Sequence, residues 1–231
     1  MAEPGGEARL RIKVCGLTRP DDARAVADAG ADYVGAVLVP GSPRTISARE
    51  ARAIGRAADL PLVLVVAGED PEETVRAARE SAAAVVQLHG DEVPEVVDQV
   101  RSGGPWKVWV AARVRDLRSV ESRITLLGGL ADGLLLDGWD PERLGGTGNP
   151  FLWGNFTDIR SRMPHGMELI VAGGLRPENV GEAVETLSPD IVDVSSGVES
   201  IPGRKDPARV REFVRAARGP DHRRKEEGAS S

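Results

Sequence analysis

Cysteine is almost absent from this chain, since Cys15 is the only one among 231 residues. A single thiol excludes an internal disulfide and any metal site built from several cysteines. Aromatic residues account for only 3% of the sequence, so a core must consist mainly of Val, Leu, Ile and Ala. With 41% hydrophobic residues, the chain can bury the core of one large domain.

The chain also lacks an excess of positive charge and a long apolar run. A formal net charge of −6 argues against a nucleic-acid partner, because binding to phosphates requires a basic face. No apolar run reaches the length of about 18 residues that a membrane span needs, so we expect no membrane partner. The first residues hold acids and no apolar segment typical of a signal peptide, and we expect a cytoplasmic protein.

Short β-branched runs alternate with alanine-rich amphipathic stretches along the chain. The predicted strands are Arg11–Cys15, Asp32–Leu38, Pro61–Ala67, Ala84–His89, Trp106–Arg113, Asp132–Asp137, Glu168–Ala172 and Asp190–Val194. Helices are predicted to begin near Pro20, Ser47, Pro71, Glu92, Asp116, Phe151, Pro177 and Asp206. Alternation of this kind predicts a parallel sheet. Eight such units favour an α/β fold, a single-domain (β/α)8 TIM barrel with phosphate-binding loops near its C-terminus.

An open, doubly wound sheet is the alternative architecture. It would usually contain fewer strands and a glycine-rich loop after the first strand. We predict that the barrel spans residues 10–218, between a flexible N-terminus (1–9) and a disordered charged tail (219–231). Gly138–Pro150, the longest predicted loop, is expected to be a mobile lid.

Four strands carry a polar side chain at or near their carboxyl ends. They are Cys15, His89, Asp137 and Asp193. Because side chains alternate between the faces of a strand, each lies opposite the apolar face that should meet the helices. In a barrel these ends form the active site. Taken singly, each could be a residue that starts a loop, and His89 could be a structural histidine. A metal site is only weakly indicated, since no second histidine lies in a predicted strand.

Glycine-rich turns follow the last two predicted strands. Gly173-Gly174 and Ser195-Ser196-Gly197 could be ordinary tight turns. In a barrel, however, the loops after strands seven and eight frequently bind phosphate. Glycines let the backbone approach phosphate oxygens, and serines add hydroxyl donors. A small phosphorylated substrate is therefore expected.

Collinear motifs resemble those of the phosphoribosylanthranilate isomerase family of tryptophan biosynthesis. They cover nearly the whole chain from Arg11 to about Arg218. The motifs are KVCGLT (13–18), DDARAVADAGADYVGAV (21–37), SPRTIS (42–47), VVQLHGDE (85–92), LLLDG (134–138), GGTG (145–148), AGGLRPENV (172–180) and VDVSSGVES followed by PGRKDP (192–207).

The resemblance implies an Amadori rearrangement of N-(5-phosphoribosyl)anthranilate, an aldose–ketose isomerisation by acid and base without metal or cofactor. It implies that Cys15 is the base at the sugar C2 hydrogen and Asp137 the acid at the ring oxygen. Arg44 would bind the anthranilate carboxylate, and His89 and Asp193 would also contact the substrate. The phosphate would lie on Gly173, Gly174, Ser195, Ser196 and Gly197.

The roles implied for Cys15 and Asp137 require opposite protonation states. A free thiol is mostly protonated at neutral pH, so the site has to favour the thiolate of Cys15. Lys13 is the nearest cation on the same strand face, and it can pair with Asp193 if the first and last strands adjoin. Asp137, as the acid, has to keep its proton.

Several positions depart from the family pattern, namely Leu38, Val66, Gly68, Asn149 and Leu152. They leave open a paralogue that acts on a different phosphoribosyl amine or phosphosugar. A metal-dependent epimerase would need several strand-end histidines, and a Schiff-base aldolase a lysine at the rim. The two-aspartate isomerase of histidine biosynthesis would have Asp in place of Cys15, and a non-catalytic barrel would have lost Cys15 or Asp137. A monomer or a homodimer is compatible with the sequence.

Overall fold

Eight parallel strands close into a barrel in which each strand pairs with its neighbour in the chain and β8 pairs with β1. This computed structural model describes residues 9–68, 70–114, 116–138 and 153–219. The strands are β1 Arg11–Val14, β2 Tyr33–Val37, β3 Leu62–Val66, β4 Val85–Leu88, β5 Lys107–Val114, β6 Gly133–Gly138, β7 Glu168–Val171 and β8 Ile191–Val194. The closed sheet confirms the predicted barrel and excludes the open sheet.

Helices alternate with the strands and surround them. They are α1 Pro20–Asp28, α2 Ala48–Ala58, α3 Pro71–Ser81, α4 Pro94–Ser102, α5 Leu117–Leu127, α6 Ile159–Arg162, α7 Val180–Leu187 and α8 Pro207–Arg218. Proline occupies the first position of α1, α3, α4 and α8, where its missing N–H is not needed. Within the described ranges, no helix combines the length and the apolarity that crossing a bilayer requires.

Polar N-caps explain why most helix starts agree with the sequence prediction. Ser47 caps α2 in a reciprocal capping box with Glu50, and Asp70, Asp116 and Asp206 accept hydrogen bonds from the first turns of α3, α5 and α8. Each side-chain acceptor satisfies backbone N–H groups that have no partner within the helix.

Three helix starts differ from the prediction. The α4 helix begins at Pro94 rather than Glu92, because the Glu92 carboxylate turns back to accept from the Gly90 N–H at 2.9 Å. The α7 helix begins at Val180 rather than Pro177, because Asn179 Oδ1 accepts from the Arg176 N–H and closes a turn. In place of a helix near Phe151, a 3-10 turn at Trp153–Phe156 precedes the four-residue α6.

One pair of strands was not predicted. β9 Glu199–Ile201 and β10 Arg204–Lys205 form a small antiparallel hairpin between β8 and α8. The glycine at position 203 has a φ of 80° within this hairpin turn. Gly138, the first residue of the predicted lid, ends β6, and the rest of the lid lies outside the described residues. Most of the predicted N-terminal and C-terminal segments lie outside them as well.

Alternation along the strands produces two separate apolar layers. One face of each strand packs against the helices, as Ile12, Val34 and Leu134 do. The other face fills the barrel interior, where Val63 and Leu135 are fully buried. This division agrees with the predicted strand faces, so the polar residues on the inner face reach the interior of the barrel.

A charged cluster closes the amino-terminal end of the barrel. Glu168 Oε1 lies 2.8 Å from both Arg11 Nη1 and Lys107 Nζ, and Oε2 accepts from Trp109 Nε1 at 3.0 Å. Burial raises the pKa of Glu168, but the hydrogen bonds and charges of Lys107 and Arg11 outweigh burial and leave this pKa below its usual value. Tyr33 packs edge-on against Trp109 beside this cluster, with ring centroids 5.3 Å apart. This end of a barrel serves stability rather than catalysis.

The Glu168→Gln variant should therefore lose stability in a pH-dependent way. Because the folded-state pKa of Glu168 is lowered, its contribution is fully present above the pKa of an unfolded glutamate and disappears as the pH falls through the lower folded value. We expect a loss of roughly 1–3 kcal/mol near pH 7, measured by urea unfolding, and convergence of wild type and variant in acid. Glu73→Gln, which breaks an exposed pair with Arg76, is the control and should change little. A pH-independent loss would contradict the assignment.

Candidate active site

Polar side chains from four strands meet at the carboxyl end of the barrel. Cys15 follows β1, His89 follows β4, Asp137 lies near the end of β6 and Asp193 lies in β8. Neighbouring positions on the same strand faces belong to the barrel interior, as Leu135 and Ile191 show. The fold therefore gathers at one end the residues that the sequence separates by more than 170 positions.

Hydrogen bonds link most of these side chains into one chain across the barrel. Lys13 Nζ lies 2.7 Å from Asp193 Oδ2 and donates to Gln87 Oε1 at 2.9 Å. The Gln87 Nε2 group lies 3.0 Å from His89 Nδ1, and His89 Nε2 lies 3.1 Å from Asp137 Oδ2. The order is Asp193, Lys13, Gln87, His89 and Asp137. These hydrogen bonds connect Lys13, which lies beside Cys15, to the Asp137 carboxylate on β6.

The Lys13–Asp193 pair confirms the prediction made for adjoining first and last strands. The two residues are register partners in the β1–β8 ladder, and Lys13 is fully buried. Burial alone would lower the pKa of Lys13, but the charge of Asp193 and the hydrogen bond to it leave this pKa above its usual value. The Asp193 carboxylate therefore favours the charged form of Lys13, and Asp193 Oδ1 is a buried oxygen with no hydrogen-bond partner among the described residues.

Cys15 is a buried free thiol with space made for it by a glycine. A Cβ at Gly35 on β2 would lie 2.8 Å from Cys15 Sγ and 2.9 Å from its Cα, so only glycine fits beside it. Burial raises the pKa of the thiol; the nearby charges of Lys13 and Lys205 lower it and Asp193 raises it, and the net result is a raised pKa. The expectation that the surroundings favour the thiolate is therefore wrong for the ligand-free protein, because desolvation outweighs the cations.

Arg44 is held by a carboxylate of the protein. Its Nε and Nη2 atoms donate to Glu199 Oε1 and Oε2 at 2.8 and 2.6 Å, a bidentate pair. Lys205 Nζ also lies 2.8 Å from Glu199 Oε1 and donates to the Ser195 carbonyl at 3.1 Å. The side chain of Arg44 passes close to Gly16, where a Cβ would lie 2.4 Å from Arg44 Cδ. Arg44 is thus fixed beside the loops that follow β1 and β8.

The loops after β7 and β8 are shaped by glycine. Gly173 and Gly174 have φ angles of 82° and 70°, in the left-handed region that favours glycine. A Cβ at Gly173 would lie 2.1 Å from the Gly138 nitrogen, and one at Gly197 would lie 1.9 Å from the Leu175 carbonyl oxygen. Asn179 Nδ2 donates to the Gly174 carbonyl at 3.1 Å and fixes the first turn.

The second glycine-containing loop joins the first. Ser196–Val198 forms a 3-10 turn directly after Ser195. Because Gly197 packs on the loop after β7, the two predicted phosphate-binding segments lie side by side. The structure therefore brings together the five residues predicted for phosphate binding.

Three residues of this region were not predicted as site residues. Gln87 lies two positions before His89 and therefore shares its inward strand face, a placement that could have indicated a hydrogen-bonding link between them. Glu199 and Lys205 lie in the motif after β8, and neither periodicity nor spacing marks them because their positions depend on the hairpin. Among the described residues, no cluster of three or more His, Cys, Asp or Glu side chains is placed to hold a metal ion.

Two of the departures from the family pattern point away from the site. Val66 is buried in the layer between strands and helices, and Leu38 packs against the same layer. Gly68 has a φ of 68° and lies near Gly90 in the loop after β4. Asn149 and Leu152 lie outside the described residues.

Taken together, the closed parallel barrel and the titratable side chains at the carboxyl ends of its strands define the class of (β/α)8-barrel enzymes. The family described as N-(5'-phosphoribosyl)anthranilate (PRA) isomerase matches residues 12–216. The chain belongs to this family.

Relatives of the same family are similar to this chain over nearly their full length. The N-(5'-phosphoribosyl)anthranilate isomerase of Trichlorobacter lovleyi is 41% identical over 217 residues, which cover 90% of this chain and 98% of the relative. That of Rubrobacter xylanophilus is 44% identical over 212 residues, covering 90% and 98%.

Solved structures show the same architecture. The phosphoribosyl anthranilate isomerase of Thermotoga maritima superposes with a TM-score of 0.82 at 35% identity and covers 91% of this chain and 99% of its own. A phosphoribosyl anthranilate isomerase in complex with reduced 1-(o-carboxyphenylamino)-1-deoxyribulose 5-phosphate superposes with a TM-score of 0.78 at 33% identity, covering 91% and 99%.

The raised pKa of Cys15 predicts a delayed ionisation that can be measured directly. Ionisation of a thiol increases its absorbance in the far ultraviolet, and this chain has one cysteine. A pH titration of absorbance therefore reports Cys15 alone once a Cys15→Ser blank is subtracted. In the folded, ligand-free protein the transition should occur at higher pH than in the same protein unfolded in urea. A transition at equal or lower pH in the folded protein would show that Lys13 and Lys205 outweigh burial.

Proposed function

We propose that Cys15 and Asp137 act as base and acid in the reaction that the family assigns to this chain. The reaction converts N-(5'-phosphoribosyl)anthranilate to 1-(o-carboxyphenylamino)-1-deoxyribulose 5-phosphate, and the chain is an isomerase of tryptophan biosynthesis. The observation that carries the assignment of roles is the inward placement of both side chains at one barrel end. Lys13 lies beside Cys15, and hydrogen bonds lead from Lys13 through Gln87 and His89 to Asp137.

Asp137 supplies the first proton. Protonation of the furanose ring oxygen lets the C1–O bond break, and the nitrogen lone pair forms an iminium at C1. Cys15 thiolate then removes the hydrogen at C2, and the electron pair moves toward the iminium to give an enolamine. Tautomerisation of the enolamine gives the ketone product. No step needs an oxidant or a metal, which supports metal-independent acid–base catalysis.

A buried thiol with a raised pKa is compatible with a base. Only a small fraction is ionised at neutral pH, but basicity rises with pKa, so this fraction abstracts a carbon-bound proton more readily. Lys13 and Lys205 are the cations that stabilise the thiolate once it forms. Asp193 Oδ1, the buried oxygen without a described partner, is an acceptor suited to a sugar hydroxyl.

The phosphate is proposed to bind at the adjoining turns of Gly173, Gly174 and Ser195–Gly197. Glycines at these positions let backbone N–H groups approach anionic oxygens, and the two serines add hydroxyl donors. Arg44 is proposed to bind the anthranilate carboxylate, for which its planar fork is suited. The substrate carboxylate has to compete with Glu199 for this guanidinium.

The remaining assignments follow the same family. We propose one barrel domain over residues 10–218, a cytoplasmic protein with no cofactor, and no nucleic-acid or membrane partner. A monomer or a homodimer is proposed, and one related Thermotoga maritima structure is described as a monomer generated from a dimeric enzyme. Because Leu38 and Val66 face the outer layer, these departures do not favour the paralogue with another substrate.

Loss of substrate fluorescence on incubation with the purified protein tests the function. Cys15→Ser and Asp137→Asn should each lower kcat by about 100-fold or more, because each removes one proton-transfer group. Asp91→Asn is the matched control, since Asp91 is an exposed carboxylate at the same barrel end. Either site variant retaining most of the wild-type kcat, with an unchanged fold, would contradict its role.

Replacement of Arg44 should act mainly on substrate binding. We expect Arg44→Ala to raise KM by about tenfold or more, because the substrate carboxylate loses a charge-assisted bidentate pair. The control is Arg49→Ala on the exposed face of α2, which should leave KM unchanged. The discriminating substrate is the aniline analogue, which lacks the carboxylate. Wild type and Arg44→Ala should have similar KM values for it, and a KM that still differs tenfold would assign Arg44 to another part of the substrate.

A further inference from the structure

Gln87 is a buried side chain that the proposed reaction does not use. It is 1% exposed and lies inside the barrel between two groups of the site. One end of its amide is 2.9 Å from Lys13 Nζ, and the other is 3.0 Å from His89 Nδ1. Both contacts are within hydrogen-bonding distance, so the orientation of this amide affects both neighbours.

Lys13 determines which end of the amide faces it. An ammonium group only donates hydrogen bonds, and Lys13 is kept charged by the Asp193 carboxylate at 2.7 Å. With Nε2 toward Lys13, two donors would face each other in a buried site, at the cost of an unsatisfied polar contact. The Gln87 carbonyl oxygen therefore faces Lys13, and its NH2 group faces His89.

The amide in turn determines the tautomer of His89. An NH2 group donates, so His89 Nδ1 has to accept and carries no proton. In a neutral imidazole the proton is then on Nε2, which donates to Asp137 Oδ2 at 3.1 Å. Every hydrogen bond from Lys13 to Asp137 thus has one direction, set by a lysine on the far side of the barrel.

We propose that Gln87 is a positioning residue that holds His89 in the Nε2–H tautomer and thereby directs the proton of Asp137. With Oδ2 occupied by the His89 donor, the acid proton is placed on Oδ1, the oxygen left to face the substrate. This last step depends on the proposed role of Asp137, whereas the tautomer depends only on the hydrogen bonds. Gln87 does not touch the reacting atoms; it acts through His89.

Charged groups from several strands lie around His89. Asp137 contacts the ring from β6, and Lys13 on β1 donates to Gln87, which lies between Lys13 and His89. On β5, Arg113 is the register partner of Asp137, and its guanidinium lies 3.9 Å from the exposed Asp91 after β4. A proton added at Nδ1 would face the Gln87 NH2 group, so the imidazolium loses a hydrogen bond that the neutral ring has.

Nitrogen-15 NMR of the histidine rings in the wild-type, ligand-free protein tests the tautomer without any substitution in the site. The chain has three histidines, and His165→Gln and His222→Gln variants assign the signals by elimination. Near neutral pH, His89 should show a protonated Nε2 and an unprotonated Nδ1. A protonated Nδ1, or signals averaged between the tautomers, would overturn the inference.

Two substitutions test the positioning role. In Gln87→Glu, a carboxylate faces Nδ1 and should bring a proton to that atom; in Gln87→Met, no donor remains and both tautomers should appear. Each should lower kcat by about tenfold or more, because the acid loses its orientation, while KM stays within about threefold. Gln99→Glu, the same change on the exposed side of α4, is the matched control and should alter neither the His89 signals nor kcat.

The outcomes separate this inference from the proposed function. A wild-type enzyme with the expected tautomer but without turnover of phosphoribosylanthranilate would refute the function and leave the hydrogen-bond assignment intact. Folded Gln87 variants that change the tautomer but keep the wild-type kcat would overturn the positioning role. If Gln87→Glu does not fold, Gln87→Met and the wild-type spectrum still decide the question.

Discussion

The buried ion pair between Lys13 and Asp193 is the interaction on which the candidate site depends. It joins the first and last strands, so it forms only when the barrel closes. An unpaired ammonium in this interior would be strongly disfavoured, and removing either partner would leave an isolated buried charge. The same pair places a positive charge near Cys15 and a hydrogen-bond donor against Gln87. Barrel closure and assembly of the site are therefore coupled.

Space inside the barrel is distributed by pairing large side chains with glycines. Gly35 on β2 leaves room for Cys15, and Gly133 on β6 leaves room for Trp109, whose ring would lie 2.6 Å from an added Cβ. Trp109 and the Glu168 cluster fill the amino-terminal end, where the interior is apolar or fully paired. The carboxyl end is left to the smaller polar groups. Because the large side chains fill the amino-terminal end, Cys15, His89 and Asp137 lie at the carboxyl end, beside the glycine-rich loops after β7 and β8.

The site contains two kinds of control over proton position. Burial keeps the Cys15 thiol neutral in the ligand-free protein, with the cations Lys13 and Lys205 close by. Across the barrel, a series of hydrogen bonds leads from Lys13 through Gln87 and His89 to Asp137, each with a fixed donor and acceptor. The first control acts through solvation and charge, and the second through the fixed donor or acceptor character of each group. A single buried lysine, Lys13, takes part in both and so links Cys15 and Asp137 across the barrel.

The strand faces were predictable from the sequence because period-two alternation assigns each side chain to one of two sides. This placed Lys13, Cys15, His89, Asp137 and Asp193 inside the barrel. The helix starts predicted near Ser47, Pro71, Asp116 and Asp206 also agree with the structure. The resemblance to the family then implied a role for each of the candidate site residues. Periodicity and motifs are local signals, and they can be read from the sequence without knowing which strands pair in the folded barrel.

Only the tertiary structure decided how those groups affect one another. The raised pKa of Cys15 depends on how much solvent the closed barrel excludes, and the sequence showed only the adjacent cation. The engagement of Arg44 by Glu199 depends on a hairpin that brings together residues 155 positions apart. The direction of the Gln87 amide depends on facing Lys13 from across the interior, 74 positions away. Periodicity determines the face on which a side chain lies, whereas solvation and hydrogen-bond direction depend on the partners that folding places opposite it.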